Sequence, residues 1–328
     1  MGTVFFKNQF RKIKNIGKRL LISRKPSAII LTYHSIANVN FKPNWLSVSP
    51  GHFAKHLEYV KTNCQPLSLS ELIETIRVGA IPNRAIVITF DDGYSNNLTH
   101  ALPLLERFEI SASIFIPTGF MKEAREFWWD RLSRIFLETQ SLPPNLSLEF
   151  QGEQYDWKTQ SDSQRENAFS EIKERIKPLP EADKDKILRR LEIWAGDKYK
   201  PRKDIRVMSI EELRELAESK YINIGAHTIS HSVLPSLSLN DQKYEIVEGR
   251  KMLMTWVNTP IEFFAYPNGD YTEETKRIVS EAGYKAAVTT NEGCVNKNAD
   301  VFALNRCHIN DWEIHTFINY LNRIFDQQ

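Results

Sequence analysis

AIVITFDDGYSN, residues 85–96, passes from an unbroken run of β-branched and aromatic residues into two adjacent carboxylates and a glycine. Apolar residues on both side-chain parities predict a strand buried on both faces, as in a parallel sheet covered by helices. Asp91 and Asp92 then fall at the strand's C-terminal end, which is where a β/α barrel builds its active site. Gly93 permits the sharp turn that follows. Two neighbouring carboxylates at such a place repel each other unless a cation neutralises one. A single Asp could cap a helix, but a pair after a buried strand points to chemistry.

The same arrangement repeats outward from this stretch. AIILTYH (28–34), SASIFIP (111–117), INIGA (222–226), IEFFAY (261–266), YKAAVTT (284–290) and VFALNRCHI (301–309) read as further strands. HFAKHLEYVK, SELIETIRVG, ALPLLERFE, SIEELRELAES, DQKYEIVEGRKMLMTWV and TEETKRIVSEAG carry helical spacing between them. Ser68 with Glu71 and Ser209 with Glu212 fit the capping box. About seven alternations of strand and helix predict an α/β fold, a distorted (β/α)7-8 barrel, over a small open sheet. Residues 121 to about 205 break the rhythm with FWWDRLSRIFLET, a polar stretch punctuated by prolines, and the charged run QRENAFSEIKERIKPLPEADKDKILRRLEIW. This predicts a helical insertion in one β/α connection. Trp128 and Trp129 could stack on a sugar ring; anchoring of the insertion is the simpler reading.

At 328 residues and 41% hydrophobic content the chain can bury one large core. A net charge of +2 gives no argument for a nucleic-acid partner. The charge is uneven, however, because Glu58 is the first acidic residue and Lys7, Arg11, Lys12, Lys14, Lys18, Arg19, Arg24 and Lys25 crowd the start. Phe6, Phe10, Ile13, Ile16 and Leu20 recur among them at spacings of three and four, so residues 1–27 read as a separate basic amphipathic segment preceding the domain of residues 28–328. Residues 1–25 could contact an anionic membrane surface peripherally or pack against the barrel. Cys64, Cys294 and Cys307 form neither a disulfide framework nor a CxxC zinc site, which suggests a reducing compartment. No apolar run reaches the length of a membrane span and the start lacks the order of a secretory signal. The expected location is cytoplasmic, with peripheral contact on the inner membrane surface.

A cation partner for the two carboxylates is to be sought at other strand ends. INIGAHTISH places His227 and His231 four apart at the end of the 222–226 strand. Spacing alone is weak evidence, since His52 and His56 share it at the start of an amphipathic helix, away from any acidic cluster. Two imidazoles and one carboxylate leave an open coordination position, which suits catalytic zinc better than a closed structural site. The uncoordinated carboxylate beside it could act as a base.

TFDDG (89–93), HTISH (227–231) and FAYPNG (264–269), in this order and each at a strand end, resemble the first three motifs of the polysaccharide deacetylases, the NodB-homology or carbohydrate esterase 4 group. LTYHSI (31–36) and VSPGHFAKHLEYV (48–60) resemble the opening of the bacterial branch whose third motif reads FAYPYG. The resemblance covers roughly residues 28–310 without the insertion, and it implies a NodB-like barrel. It implies that Asp91 is the general base and that Asp92, His227 and His231 hold a divalent metal. Zinc is foremost, with cobalt, nickel or manganese accepting the same donors. The implied reaction is hydrolysis of the acetamide of an N-acetylated glycan, releasing acetate.

The chain departs from that pattern in three places. Ala265 stands where many members carry the arginine that holds the catalytic aspartate, and Arg306, at the end of the last strand, is the candidate replacement. Asn268 stands where tyrosine is frequent, with Tyr266 and Pro267 expected to shape the acyl wall of the substrate site. His308 in NRCHI is the candidate for the histidine that protonates the leaving amine, and His34 of LTYHS is its alternative. Two other functions fit the same residues: a glycan-binding module on this scaffold, and an O-acetyl esterase.

Overall fold

A computed structural model of the chain describes residues 26–38, 46–150, 152–196 and 200–327. The predicted amphipathic segment of residues 1–25 lies outside them. Eight parallel strands form the central sheet: β1 (Ala28–Tyr33), β2 (Gln65–Leu67), β3 (Ala85–Phe90), β4 (Ala112–Ile116), β5 (Ile222–Ala226), β6 (Phe263–Ala265), β7 (Ala286–Val288) and β8 (Cys307–His308). Their order is β7-β6-β5-β4-β3-β1-β8, with β2 beside the first half of β3. The segment leading into β8 closes the gap between the sheet's two ends. Leu304 exchanges backbone hydrogen bonds with Ala287 and Thr289 on one side, and Ile309 donates to Thr32 on the other. The result is a distorted β/α barrel.

Alternation along the strands sorts side chains into two clusters. Ala28, Ile30, Ala85, Val87, Phe115, Phe263, Ala265, Val288 and Leu304 pack together in one. Ile29, Leu31, Tyr33, Ile86, Ile88 and Phe90 join the other, with residues of the surrounding helices. Each fully buried aliphatic side chain contributes about 1.5–3 kcal/mol of transfer free energy. The helices around the sheet are α1 (Pro50–Asn63), α2 (Leu69–Arg77), α3 (Leu102–Phe108), α7 (Ile210–Ala217), α8 (Leu239–Val257), α9 (Glu273–Glu281) and α10 (Ile314–Asp326); α4, α5 and α6 belong to the excursion below. Both predicted capping boxes are present, at Ser68–Glu71 and Ser209–Glu212. No helix among the described residues is long and apolar enough to cross a membrane.

Register places every motif at one end. Tyr33 pairs with Phe90, Ile116 and Phe264 both pair with Ala226, Ala265 pairs with Val288 and Thr32 pairs with His308. The residues that follow these pairs, including His34, Asp91 and His227, therefore share a rim.

Two expectations need correction. The chain between β4 and α7 is not wholly helical. Alongside α4 (Trp128–Ser133), α5 (Asp162–Ile176) and α6 (Glu181–Ala195) it holds an antiparallel hairpin, Asn145–Phe150 with Glu153–Lys158. Leu146, Leu148 and Phe150 are buried and Asn145, Ser147 and Glu149 exposed, the period-two pattern of a half-buried strand. The stretch 301–309 is not one strand either. A turn in which Ala303 N–H donates to the Asp300 carbonyl leaves a single bridge at Leu304 and the two-residue β8.

Candidate active site

Asp91 and Asp92 leave the end of β3 in opposite directions. Asp91 continues the parity of Val87 and Thr89 and turns inward, where Arg306 grips it: Nη1 donates to Oδ1 at 2.7 Å and Nη2 to Oδ2 at 2.6 Å. Arg306 is 1% exposed, and its Nε donates to the Thr289 carbonyl at 2.7 Å while Nη1 also reaches Thr89 Oγ1 at 3.2 Å. Burial alone would push the Asp91 carboxyl up, but the Arg306 charge and its two hydrogen bonds outweigh it and hold the group well below the usual carboxylate range. The guanidinium lies beside the ring of Phe115, 5.7 Å from its centroid, inside the cluster that also contains Ala265. Arg306, immediately before β8, thus reaches Asp91 alongside the cluster to which Ala265 belongs. Arg306 is wholly buried, and its guanidinium is engaged by Asp91, Thr89 and Thr289.

Asp92 adopts a left-handed backbone, φ 72°, and Gly93 follows at φ 62°, where an added Cβ would lie 2.7 Å from Ile116 Cδ1. This turn carries the second carboxylate towards the loop after β5. Asp92 Oδ1 lies 3.3 Å from His231 Nε2 and 3.6 Å from His227 Nε2, is fully buried, and has no hydrogen-bond partner. The three candidate ligand atoms all lie within 4.8 Å of one another. His227 Nδ1 meets the Ala265 carbonyl at 2.7 Å, so that nitrogen carries the proton and Nε2 keeps its lone pair. Burial holds the His227 pKa down at about 4. An orphaned buried oxygen facing two imidazole Nε2 atoms fits a divalent cation and is costly without one.

His231 is held by a residue that the sequence did not single out. Glu245 of α8 accepts from the backbone N–H groups of Ile229 and Ser230 at 2.8 and 2.9 Å and from Ser230 Oγ at 2.7 Å. This clamp fixes a loop in which Thr228 and His231 both have positive φ. Against His231 lies Trp129, ring centroids 5.0 Å apart, itself stacked on Phe127 at 4.3 Å. Trp128 stands edge-on to Trp129 and has Lys184 over its ring. Both indoles are buried anchors of the excursion between β4 and α7, and both also line the cavity over the aspartates. That proximity is invisible in sequence, because it depends on how the excursion folds back.

The cavity measures about 210 Å³ and its wall includes His34, Asp91, Asp92, His227, His231, Asn268 and Thr290. His34 Nδ1 is buried without a partner, and burial holds its pKa at about 4 against the pull of Asp92 and Asp91. His308 packs edge-on to His34, ring centroids 5.3 Å apart, but is exposed and does not line this cavity. Asn268 sits at φ 58° with its carbonyl accepting from Thr290 Oγ1. Tyr266 and Pro267 do not reach the wall: Tyr266 is fully buried, donates to the Phe302 carbonyl at 2.9 Å and stacks on Tyr271. Tyrosine there packs the barrel because its parity points away from the rim. The control pair is structural, since His56 is buried against Phe317 and His52 meets Asp311.

The sequence model of the family described as polysaccharide deacetylase matches residues 79–179 and 194–287, more than half of the chain. The chain belongs to the polysaccharide deacetylase family. Relatives agree with the assignment. YxkH of Bacillus subtilis (strain 168), named as a polysaccharide deacetylase, is 23% identical over 304 residues, which is 92% of this chain and 78% of that protein. The poly-β-1,6-N-acetyl-D-glucosamine N-deacetylase of Staphylococcus aureus (strain N315) is 28% identical over 124 residues, 34% of this chain and 43% of the staphylococcal enzyme. Among solved structures, the Streptococcus pyogenes deacetylase PplD in complex with acetate aligns with TM-score 0.58 at 18% identity, covering 90% of this chain and 98% of that one. IcaB from Ammonifex degensii aligns with TM-score 0.58 at 16% identity, covering 91% and 98%. At these identities the structural likeness establishes the barrel. Family membership makes this deacetylase a hydrolase of the de-N-acetylase class, in a family that is generally metal-dependent.

Proposed function

We propose that this deacetylase hydrolyses the acetamide of an N-acetylated glycan with a divalent metal held by Asp92, His227 and His231. The observation that carries the reading is the pairing of two states at one strand end: Asp91 fixed in its ionised form by Arg306, and Asp92 Oδ1 buried, unpartnered and facing two imidazole nitrogens. Zinc suits one carboxylate and two imidazoles, and cobalt, nickel and manganese accept the same donors. When bound, the ion supplies Lewis acidity towards the acetyl carbonyl and the water that attacks it.

The chain's own residues do the rest. Asp91 takes the proton of the attacking water; its two bonds to Arg306 use two of about four carboxylate lone-pair sites, so acceptor capacity remains. Arg306 keeps that base aimed and ionised. The departing nitrogen needs the proton that Asp91 takes from water, and His34, which lines the cavity, relays it from Asp91 to that nitrogen, with His308 packed edge-on to its ring. Asn268 and Thr290, which also line the cavity, are assigned the wall against the acetyl group. Peripheral attachment to the inner membrane surface is proposed on the basic amphipathic pattern of residues 1–25, and is tested by sedimentation with anionic liposomes before and after their removal.

The reaction is tested by measuring acetate released from an N-acetylated glycan and from its O-acetylated counterpart, before chelation, after chelation and after adding zinc back. Release from the N-acetylated glycan that chelation abolishes and zinc restores is the expected result. Release only from the O-acetyl ester would replace this function with esterase activity, and release indifferent to chelation would remove the metal.

A further inference from the structure

His227 and His231 are oriented by different means. The Ala265 carbonyl accepts from His227 Nδ1 at 2.7 Å and fixes that ring. The His231 ring has no such bond among the described residues, and Glu245 clamps only the backbone that leads to it. What bears on the ring is aromatic: the Trp129 indole at 5.0 Å between centroids, with Phe127 stacked on the indole and 6.1 Å from the imidazole. In a close-packed interior the imidazole cannot turn unless the indole gives way. The indole is pinned in turn. Its Nε1–H donates to the Tyr94 hydroxyl at 3.0 Å, and that hydroxyl donates to Asp130 Oδ2 at 2.7 Å. Tyr94 is wholly buried with Phe127 edge-on to its ring. Its backbone is held on both sides, because Met208 N–H donates to the Gly93 carbonyl at 2.9 Å and Ser95 N–H to the Arg206 carbonyl at 2.8 Å. The stretch that supplies both aspartates therefore also anchors Trp129. Phenylalanine would bury the same ring, so the hydroxyl is what joins the indole to the carboxyl beside it in sequence. Burial pushes the Asp130 carboxyl up to about 8, with the Tyr94 bond and Arg202 opposing and Glu126 and Asp92 assisting, so at neutral pH asparagine reproduces its uncharged form.

We propose that Tyr94 and Asp130 are positioning residues that lock Trp129 against His231 and so set the orientation in which His231 presents Nε2 to a divalent metal. That role rests on the reading of Asp92, His227 and His231 as metal ligands. The test is the zinc affinity of the full chain, by competition with a chelating dye, in Tyr94→Phe, Trp129→Phe, the two combined, and Asp130→Asn. Tyr94→Phe deletes one oxygen and should weaken zinc binding about tenfold, the lower end of what loss of a group that orients a ligand costs. Trp129→Phe should weaken it at least as much, and the combined variant should lie within about twofold of Trp129→Phe, because both changes remove one shared contact. Asp130→Asn keeps an acceptor for the hydroxyl and should bind zinc within about threefold of the native chain. The visible band of bound cobalt, which follows ligand geometry, should change shape in Tyr94→Phe and keep its native shape in Asp130→Asn. A residue that only stabilised the fold would leave that band unmoved. Native affinity in Tyr94→Phe or in Trp129→Phe, additive losses in the combined variant, or a loss in Asp130→Asn as large as that in Tyr94→Phe would overturn the proposal. If Trp129→Phe does not fold, the comparison of Tyr94→Phe with Asp130→Asn decides. A native chain that takes up no zinc would remove the metal reading and this role with it, whereas equal uptake by the native chain and Tyr94→Phe would remove the role and leave the metal reading standing.

Discussion

Replacing Arg306 by methionine keeps much of the side chain's volume and removes the charge that holds Asp91. Two charge-assisted hydrogen bonds at 2.7 and 2.6 Å disappear, and a carboxylate that is 3% exposed loses its partner. Breaking one side of a buried pair costs about 3–5 kcal/mol, and two bonds to a charged group at roughly 1.5–3 kcal/mol each give about 3–6 kcal/mol, which overlaps it. The variant should therefore lose about 3–5 kcal/mol in urea denaturation. Arg306→Met with Asp91→Asn should cost less than the sum of the single changes, because each single change strands the other's polar group. The pH profile separates this from a packing defect. Arg306 outweighs burial in setting the Asp91 pKa, so without it burial wins and the pKa rises above its ordinary 3.8. The acid limb of kcat/KM should move towards neutrality in Arg306→Met and return part of the way in Arg306→Lys. A loss below about 1 kcal/mol with an unmoved acid limb would refute the assignment of Arg306 as the group that positions Asp91.

Two further outcomes follow from the packing around the site. Glu245→Ala frees the loop that carries His231 and should weaken zinc binding by about 10–100-fold, read by competition with a chelating dye; unchanged affinity would show that the clamp is dispensable. Away from the site, burial holds the His56 pKa at about 4 against an ordinary 6.5, the Trp312 carbonyl opposing and His52 assisting. Below pH 6.5 the unfolded chain binds a proton that native His56 refuses until about pH 4, so stability falls through that window and levels off beneath it. The loss from this residue is roughly 3 kcal/mol, and His56→Leu should flatten that part of the urea-midpoint profile; a parallel profile would contradict it.

The parts legible in sequence are those in which one strand carries the whole message. AIVITF announces a buried strand, its alternation sends Asp91 inward, and INIGA does the same for His227. Arg306 could be named because it lies beside the last strand, one residue before β8, although its contact spans 215 residues of chain. Glu245 gave no such signal. It lies on a helix with an ordinary charged face, and only the docking of that helix brings it to the loop. The same limit explains Tyr266, which the motif placed beside the substrate and the strand's parity turned towards Phe302. The hairpin at 145–158 was legible in its alternation, but lay hidden inside a charged stretch whose flanks are helical.

The central claim is that the adjacent carboxylates divide the work, Asp92 binding metal and Asp91 handling the proton. It is tested most directly by measuring, on one preparation each of the native chain, Asp91→Asn and Asp92→Asn, the equivalents of zinc retained after gel filtration and the rate of acetate release from an N-acetylated glycan. Asp91→Asn should retain about one equivalent and release acetate at least 100-fold more slowly, as loss of a general base demands, whereas Asp92→Asn should lose both. Full activity in Asp91→Asn, or loss of zinc from Asp91→Asn with zinc retained by Asp92→Asn, would contradict it.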